Sequence, residues 1–373
     1  LPLLERGKAI SMEAEGQANR GRIQEEEYLS KYETFLADFI RKQLDTDVAL
    51  PLLGLHVVVD AGNGAGGFYA RLLETLGADV EGSQFLTPDG HFPNHPPNPE
   101  NKEAMASLSK AVVHHEADLG VIFDADCDRA ALVDSQGKSI NRNRLIALVS
   151  AIVLDKEPGA TIVTDSVTST GLAEFIGGWG GEHYRYKRGY RNVIDEAILL
   201  NEAGINCPLA IETSGHAAFR ENHFLDDGMY LATMLVAETM KLKQEGQNIN
   251  ILIEDLKEPV EETEIRLLIE EEDFQRYGRE CIEQVLAFGE ESENWAIAPD
   301  NREGVRYSFS FEEEGIEEGW FLLRLSVHDP VLPLNIESDI QGGINKLLQQ
   351  LLVPLREAEG INIGPIVDYL ENH

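Results

Sequence analysis

The stretch Leu55–Val80, LHVVVDAGNGAGGFYARLLETLGADV, decides the fold class. The apolar run Leu55–Val59 reads as a buried strand. Gly62, Asn63, Gly64, Gly66 and Gly67 make a flexible turn, and Phe68–Leu76 reads as a helix stopped by Gly77. Strand, glycine-rich turn and helix in that order open a parallel α/β unit. A dinucleotide fingerprint needs G-x-G-x-x-G with an acidic residue closing a later strand. The glycine spacing here differs, so the turn reads as structural rather than nucleotide-binding.

On its N-terminal side, residues 25–44 place Tyr28, Leu29, Tyr32, Phe35, Leu36, Phe39, Ile40 and Leu44 three and four apart, the pattern of an amphipathic helix. On its C-terminal side, Thr87–Asn101 is a Pro/Asn/His loop whose prolines bar a helix. Helix Ala104–His115, strands Leu119–Phe123 and Ala131–Val133, and helix Asn143–Leu154 follow. A second α/β unit starts near residue 156 with the strand in Pro158–Asp165. Near 257 the chain turns very acidic and reads as richer in strands, with Tyr307–Phe311 and Gly319–Ser326 flanking a turn. Helices near 339–357 and 365–370 close it. The expectation is an α/β protein: successive α/β domains over 49–155 and 156–256, then a smaller α+β domain over 257–373.

Composition narrows the function classes. The 373 residues suffice for two to four domains, and 43% hydrophobic content is ample for real cores. A formal net charge of -35 argues against nucleic acid, whose phosphates it would repel. It fits a soluble cytoplasmic protein with a solvated acidic surface. Cys127, Cys207 and Cys281 have no close pair and no C-x-x-C spacing, so a reducing compartment is expected. No run approaches the ~20 apolar residues of a membrane span. The N-terminus has no signal-peptide pattern and starts without Met, in what reads as mid-protein sequence.

Four stretches carry candidate chemistry. In VIFDADCDRAALVD, Val121–Asp134, three carboxylates stand on alternate positions inside apolar sequence. Their mutual repulsion needs an offset, and Asp124, Asp126 and Asp128 turned to one side would hold a hard cation such as Mg²⁺. An EF-hand fails, because Arg129 and Ser135 stand where Gly and Glu are required. Arg129 is placed to hold a phosphate oxygen. In LAIETSGHAAF, Leu209–Phe219, Glu212 and Ser214 on a tight turn suit sugar hydroxyls; the residues alone leave a ligand loop and an ordinary turn equally open. His216 reads as a structural hydrogen-bonder, and Asp226 and Asp227 as candidate helix caps. YRYKRGYRNV, Tyr184–Val193, gathers Arg185, Lys187, Arg188 and Arg191 as an anion patch in an acidic protein. In RLSVHDPVLPLNIES, alternation would aim Arg324, Ser326 and His328 at an anion.

Taken in order, VVVDAGNGAGG, FPNHPPNP, DADCDR and ETSGH resemble the α-D-phosphohexomutase superfamily, within it the phosphomannomutase/phosphoglucomutase type, from about residue 25 onward. The resemblance implies phosphohexomutase-type α/β domains around a cleft, Mg²⁺ on Asp124, Asp126 and Asp128 with Arg129 beside it, and sugar contacts from Glu212 and Ser214 with His216 adjacent. It implies phosphate handling or acid/base work at Lys187 and Arg191, and a phosphate loop at Arg324 and Ser326. Hexose phosphates (glucose or mannose 1-phosphate, 6-phosphate and 1,6-bisphosphate) would be the partners, with no nucleic acid and no membrane, on a monomer or homodimer. Two departures stand out. RLSVHDP has Val327 and His328 where the family's loop has Gly and Thr. The family's Ser-His-Asn-Pro-like loop, whose phosphoserine donates to the sugar, does not occur in these residues, so residues 1–48 read as the tail of a first domain missing from a truncated chain. Two rivals are a sugar-phosphate-binding protein of the same fold without turnover, and a Mg²⁺-dependent phosphatase attacking through Asp124.

Overall fold

The computed structural model describes residues 24–311, 317–326 and 329–372. Among the described residues the first helix, α1 (Leu29–Gln43), starts four residues later than its pattern predicts. A four-stranded sheet follows in the order β1-β2-β3-β4: β1 (Val57–Asp60), β2 (Leu119–Phe123), β3 (Ala130–Asp134) and β4 (Ser139–Ile140). β1 and β2 are parallel, Val57 opposite Leu119, and β3 turns back antiparallel. Helices α2 (Phe68–Thr75) and α3 (Lys102–His114) complete the unit. The Asn101 side chain caps α3 by accepting from the N–H groups of Glu103 and Ala104.

The second unit repeats the plan. Its sheet runs β6-β5-β7-β8, with β5 (Thr161–Thr164), β6 (Glu182–Arg185), β7 (Leu209–Ile211) and β8 (Ala217–Phe219). Here β5 is parallel to both β6 and β7, and β8 turns back antiparallel to β7 as β3 does to β2. Its helices are α4 (Arg142–Lys156), α5 (Thr170–Gly178), α6 (Tyr190–Glu202) and α7 (Gly228–Gln244). The two units are interwoven. α4 packs on β7 and α5, while α7, nearly a hundred residues on, returns to cover β2 and β3 and to pack on α1. Every residue of Leu145–Leu154 in α4 is buried, as expected of a helix enclosed on all sides. One continuous apolar core therefore runs from Leu36 to Ile253.

The C-terminal domain is an antiparallel five-stranded sheet ordered β10-β11-β12-β13-β9. Its strands are β9 (Glu261–Leu268), β10 (Trp295–Ile297), β11 (Val305–Phe309), β12 (Gly319–Leu323) and β13 (Val331–Ser338). α8 (Phe274–Glu290), α9 (Gly343–Glu357) and α10 (Gly364–Asn372) pack on it around a separate core from Ile265 to Ile366. The architecture is thus α/β with a smaller α+β end. Two expectations are corrected. The region after 257 holds the 17-residue helix α8, and the second predicted strand stops at Leu323; Val331–Ser338 adds a strand where the sequence reading assigned none. Among the described residues no helix is long and apolar enough to cross a membrane.

The C-terminal domain docks on the second unit through polar contacts. Arg306 is 4% exposed and donates from Nη1 to Ser166 O at 2.8 Å and from Nη2 to Thr168 O at 3.2 Å. Its guanidinium lies 3.7 Å from the Trp320 ring centroid. Arg185 pairs with Asp300, and the Ser166 hydroxyl donates to Glu303. Trp320 Nε1 in turn donates to Glu337 Oε2 at 2.8 Å. Burial pushes the Glu337 carboxyl up to about 7. Between its ordinary value and 7 the folded chain keeps a proton that the unfolded chain has released, so this group removes stability as pH rises through that window. Glu337→Gln, which keeps an acceptor for Trp320, is expected to flatten the fall in melting temperature between pH 5 and 8. An unchanged pH profile in thermal melts would show the carboxyl to be ionised throughout.

Candidate active site

The candidate residues stand at the C-terminal ends of the parallel strands, where open α/β sheets present their ligand loops. Asp60 ends β1, Asp124 follows β2, Asp165 follows β5, Arg185 ends β6 with Arg188 just beyond it, and Glu212 follows β7. The Asp60 carboxylate is fully buried and meets His95 Nε2 at 3.0 Å, which ties the proline loop down. The glycine-rich turn buttresses the aspartate loop. Ala65 N–H donates to Ala125 O at 2.9 Å, and a Cβ on Gly64 would stand 2.6 Å from that same oxygen.

The aspartates converge. One oxygen from each of Asp124, Asp126 and Asp128 lies within 4.8 Å of the others. Asp124 is 2% exposed, accepting from Arg129 N–H at 3.1 Å and Arg129 Nε at 2.8 Å. Both its oxygens are thereby tied down, which speaks against Asp124 as an attacking nucleophile. Burial, with Asp128 alongside, pushes its carboxyl above the ordinary range against the pull of Arg129. Asp128 Oδ1 is buried with no hydrogen-bond partner. Three converging carboxylates with an unsatisfied buried oxygen fit a divalent cation with oxygen ligands. Cys127, between Asp126 and Asp128, takes a left-handed φ of 70°, and burial pushes its thiol up to about 12.

The turn after β7 sits directly against this loop. Arg129 and His216 form an antiparallel bridge, and Gly215, at φ +99°, leaves no room for a Cβ beside Ala130 O. His216 Nδ1 meets Asp226 Oδ2 at 2.8 Å and lies 3.8 Å from Asp128 Oδ2. Burial works to lower its pKa, but Asp226, Asp128 and Glu212 outweigh burial and hold it above the usual imidazole range. Tyr190 stacks on the ring at 5.2 Å. Asp227 caps α7 by accepting from Tyr230 N–H, and it takes the Tyr32 hydroxyl from α1.

Glu212 is 3% exposed; it accepts from Gly189 N–H at 2.6 Å and from the Ser214 hydroxyl at 3.5 Å. Burial, then the charge of Asp165, pushes its carboxyl up to about 7. Asp165, fully buried, accepts from Thr213 Oγ1 at 2.7 Å. Arg188 spans the domains: its side chain lies 3.6 Å from Glu100 and 3.9 Å from Asp165, and its N–H donates to Glu303 at 2.8 Å. Arg324 follows β12, and its Nε is buried without a partner. Ser326 is half-buried on the same segment, its hydroxyl accepting from Asp329 N–H. His328 lies outside the described residues.

Asp124, Asp126, Asp128, Arg129, Glu212, Ser214 and His216 thus gather around one loop-to-loop contact. Lys187 is exposed, and Arg191, 83% exposed on α6, pairs with Asp195 of its own helix. Asp165, Arg188 and Asp226 gain weight that the sequence reading did not give them. A signal for Asp165 was present: TIVTD ends on a carboxylate as VVVD, VIFD and LAIE do.

The family model for phosphoglucomutase/phosphomannomutase alpha/beta/alpha domain II matches residues 30–137, and that for domain III matches 141–259. A phosphomannomutase/phosphoglucomutase of Pseudomonas syringae is 33% identical over 309 residues, 82% of this chain and 61% of that protein. A phosphomannomutase of Salmonella montevideo is 34% identical over 296 residues, 77% of this chain and 59% of that protein. The chain therefore spans about three fifths of the length of these curated relatives. A crystal structure of a phosphoglucomutase/phosphomannomutase family protein from Burkholderia thailandensis superposes with a TM-score of 0.70 at 27% identity, over 87% of this chain and 64% of that one. The Aspergillus fumigatus N-acetylphosphoglucosamine mutase, solved with GlcNAc-6P and magnesium, shares the fold at 13% identity and a TM-score of 0.56, over 88% of this chain and 65% of that one. With two family models in tandem, relatives above 30% identity and the same fold, the chain belongs to the phosphoglucomutase/phosphomannomutase family of the α-D-phosphohexomutase superfamily.

Proposed function

We propose that this chain carries the metal-, sugar- and phosphate-holding parts of a phosphohexomutase. The enzyme interconverts hexose 1-phosphate and 6-phosphate, of glucose, mannose or both. A phosphoserine from outside these 373 residues gives its phosphoryl group to the sugar, forming a 1,6-bisphosphate. The bisphosphate turns over, and its other phosphoryl group returns to serine. The observation that supports this reading most is the convergence of three aspartate oxygens within 4.8 Å, beside a turn carrying Glu212 and Ser214.

Asp124, Asp126 and Asp128 would hold Mg²⁺, which when bound offsets charge on a transferring phosphoryl group. Arg129 is anchored on Asp124 through Nε and reaches Asn98 through Nη1 at 3.4 Å. A guanidinium has five N–H groups, so it keeps donors for a phosphate oxygen. Glu212 and Ser214 receive ring hydroxyls, and a carboxyl near 7 both accepts a hydroxyl proton and carries one at neutral pH. Arg324, with its unpartnered Nε, and Ser326 take the non-reacting phosphate. Lys187 and Arg191, on the exposed side, serve incoming anions. Such chemistry is mostly positioning and electrostatics.

Calorimetric titration with glucose 1,6-bisphosphate and Mg²⁺ tests the reading. Binding that requires the ion is expected, with a loss of about a hundredfold in Asp126→Ala, whose site is exposed and whose fold should be undisturbed. Binding indifferent to both Mg²⁺ and the substitution would sink it.

A further inference from the structure

Where the C-terminal sheet faces the two α/β units there is a cavity of about 310 Å³. Its wall contains none of the aspartate-loop, Glu212-turn or Arg324 residues. Lys102 comes from the first unit, Arg142 from the start of α4, and Glu264, Trp320, Asn335 and Glu337 from the C-terminal sheet. The wall is graded. Trp320, Asn335 and Glu337 are 3%, 4% and 7% exposed, whereas Lys102 is exposed and the Arg142 side chain is 42% exposed.

The deep end is rich in acceptors. Asn335 donates from Nδ2 to Glu264 Oε2 at 3.0 Å, and its Oδ1 is buried with no partner. Glu337 receives the Trp320 indole and, at 3.4 Å, the Asn143 amide. A buried acceptor without a donor costs stability until something supplies one. Hydroxyl groups do so without adding charge beside two carboxylates. The mouth holds the opposite chemistry. Arg142 is only loosely paired, 3.9 Å from Glu262, and Lys102 extends into solvent. The wall carries three carboxylates, Glu262, Glu264 and Glu337, against two cations, so an anion position is local to the Lys102–Arg142 mouth. The size is at the lower end for small-molecule sites. Nucleotides fit poorly, because Arg306 already covers a face of the Trp320 ring.

We propose that this cavity is a second binding site, separate from the cleft, for a hexose monophosphate: sugar hydroxyls inward on Asn335, Glu264 and Glu337, phosphate at the Lys102–Arg142 mouth. Its walls come from all three domains, so an occupant favours the docked arrangement. The inference rests on the cavity wall alone and does not require the turnover proposed above.

The chain has three tryptophans, so the Trp320 indole N–H can be followed by ¹H–¹⁵N NMR and assigned with Trp320→Phe. Titration with glucose 6-phosphate is expected to move that resonance, in the parent chain and equally in Arg324→Ala. Lys102→Glu, at an exposed position, should weaken the interaction at least about fivefold, the equivalent of one surface ion pair. Asn335→Leu should abolish it. A Trp320 signal that stays still, or that moves only when Arg324 is intact, overturns the proposal while leaving the cleft reading untouched. Should Asn335→Leu fail to fold, Lys102→Glu decides: unchanged affinity there overturns the phosphate position.

Discussion

Arg306→Ala is expected to lower stability by about 3 kcal/mol and to let the C-terminal domain unfold ahead of the rest. The carbonyls of Ser166 and Thr168 would lose charge-assisted hydrogen bonds at 2.8 and 3.2 Å, each worth about 1–3 kcal/mol when its partner is removed. The contact over Trp320 adds about 2 kcal/mol for a desolvated cation–π pair. Against this, burial pushes the guanidinium down to about 9, so holding the charge there is itself a cost that alanine removes. The three effects leave a net loss near the stated size. Arg306→Lys should fall between, since an ammonium keeps the charge but lacks the planar fork that reaches two carbonyls and stacks on an indole. Calorimetry of the three proteins checks it: a single transition with an unchanged midpoint in Arg306→Ala would mean that the interface rests on Val167, Trp320 and Leu322 instead.

Gly64→Ala carries the second large effect, this time on the metal. The Gly64 backbone, φ -86° and ψ -160°, is open to any residue, so conformational strain is not the issue. Contact is. The added methyl would stand 2.6 Å from Ala125 O and 2.9 Å from Ala125 Cα, both backbone atoms of the aspartate loop. One of the two segments must move, and overpacking of this kind costs about 1–3 kcal/mol. Displacing the support of a ligand loop typically reduces metal affinity by about 10–100-fold. Mn²⁺ titration followed by electron paramagnetic resonance gives the affinity directly. Gly90→Ala, where a Cβ meets nothing within 4 Å, is the control and should match the parent protein. Equal Mn²⁺ affinity in Gly64→Ala would remove the glycine turn from any role in shaping the site.

The elements that announced themselves were those whose local chemistry agrees with their tertiary role. Leu119–Phe123 is apolar throughout and buried on both faces, and it runs where the sequence put it. The three aspartates suggested a cation site because their repulsion within apolar flanks needs an offset, and the structure brings one oxygen of each within 4.8 Å of the others. The helices α5, α6 and α8 were harder. α6 begins in the middle of the basic patch, so its charged first turn hid the buried Val193 and Ala197 behind it. α8 follows a run of acidic residues that suggested an exposed sheet, and its buried positions Gly278, Cys281, Val285 and Gly289 include two glycines. Arg188 was one basic residue among four in its patch. Its weight comes from Glu100, Asp165 and Glu303, which arrive from three different places in the chain, and no local window contains that information.

The weaving of α4 and α7 bears on how such a chain can be recombined. A gene crossover near residue 140, where the two family matches meet, would part α7 from the sheet it covers and leave β2 and β3 bare on one face. The inherited piece would carry half of a core running from Leu36 to Ile253. A crossover between residues 256 and 261 would divide neither large core, since the next begins at Ile265, and would part only the small cluster of Val167 with Trp320 and Leu322. Exchange of the C-terminal domain between relatives is thus the tolerated swap, whereas the first two units travel together.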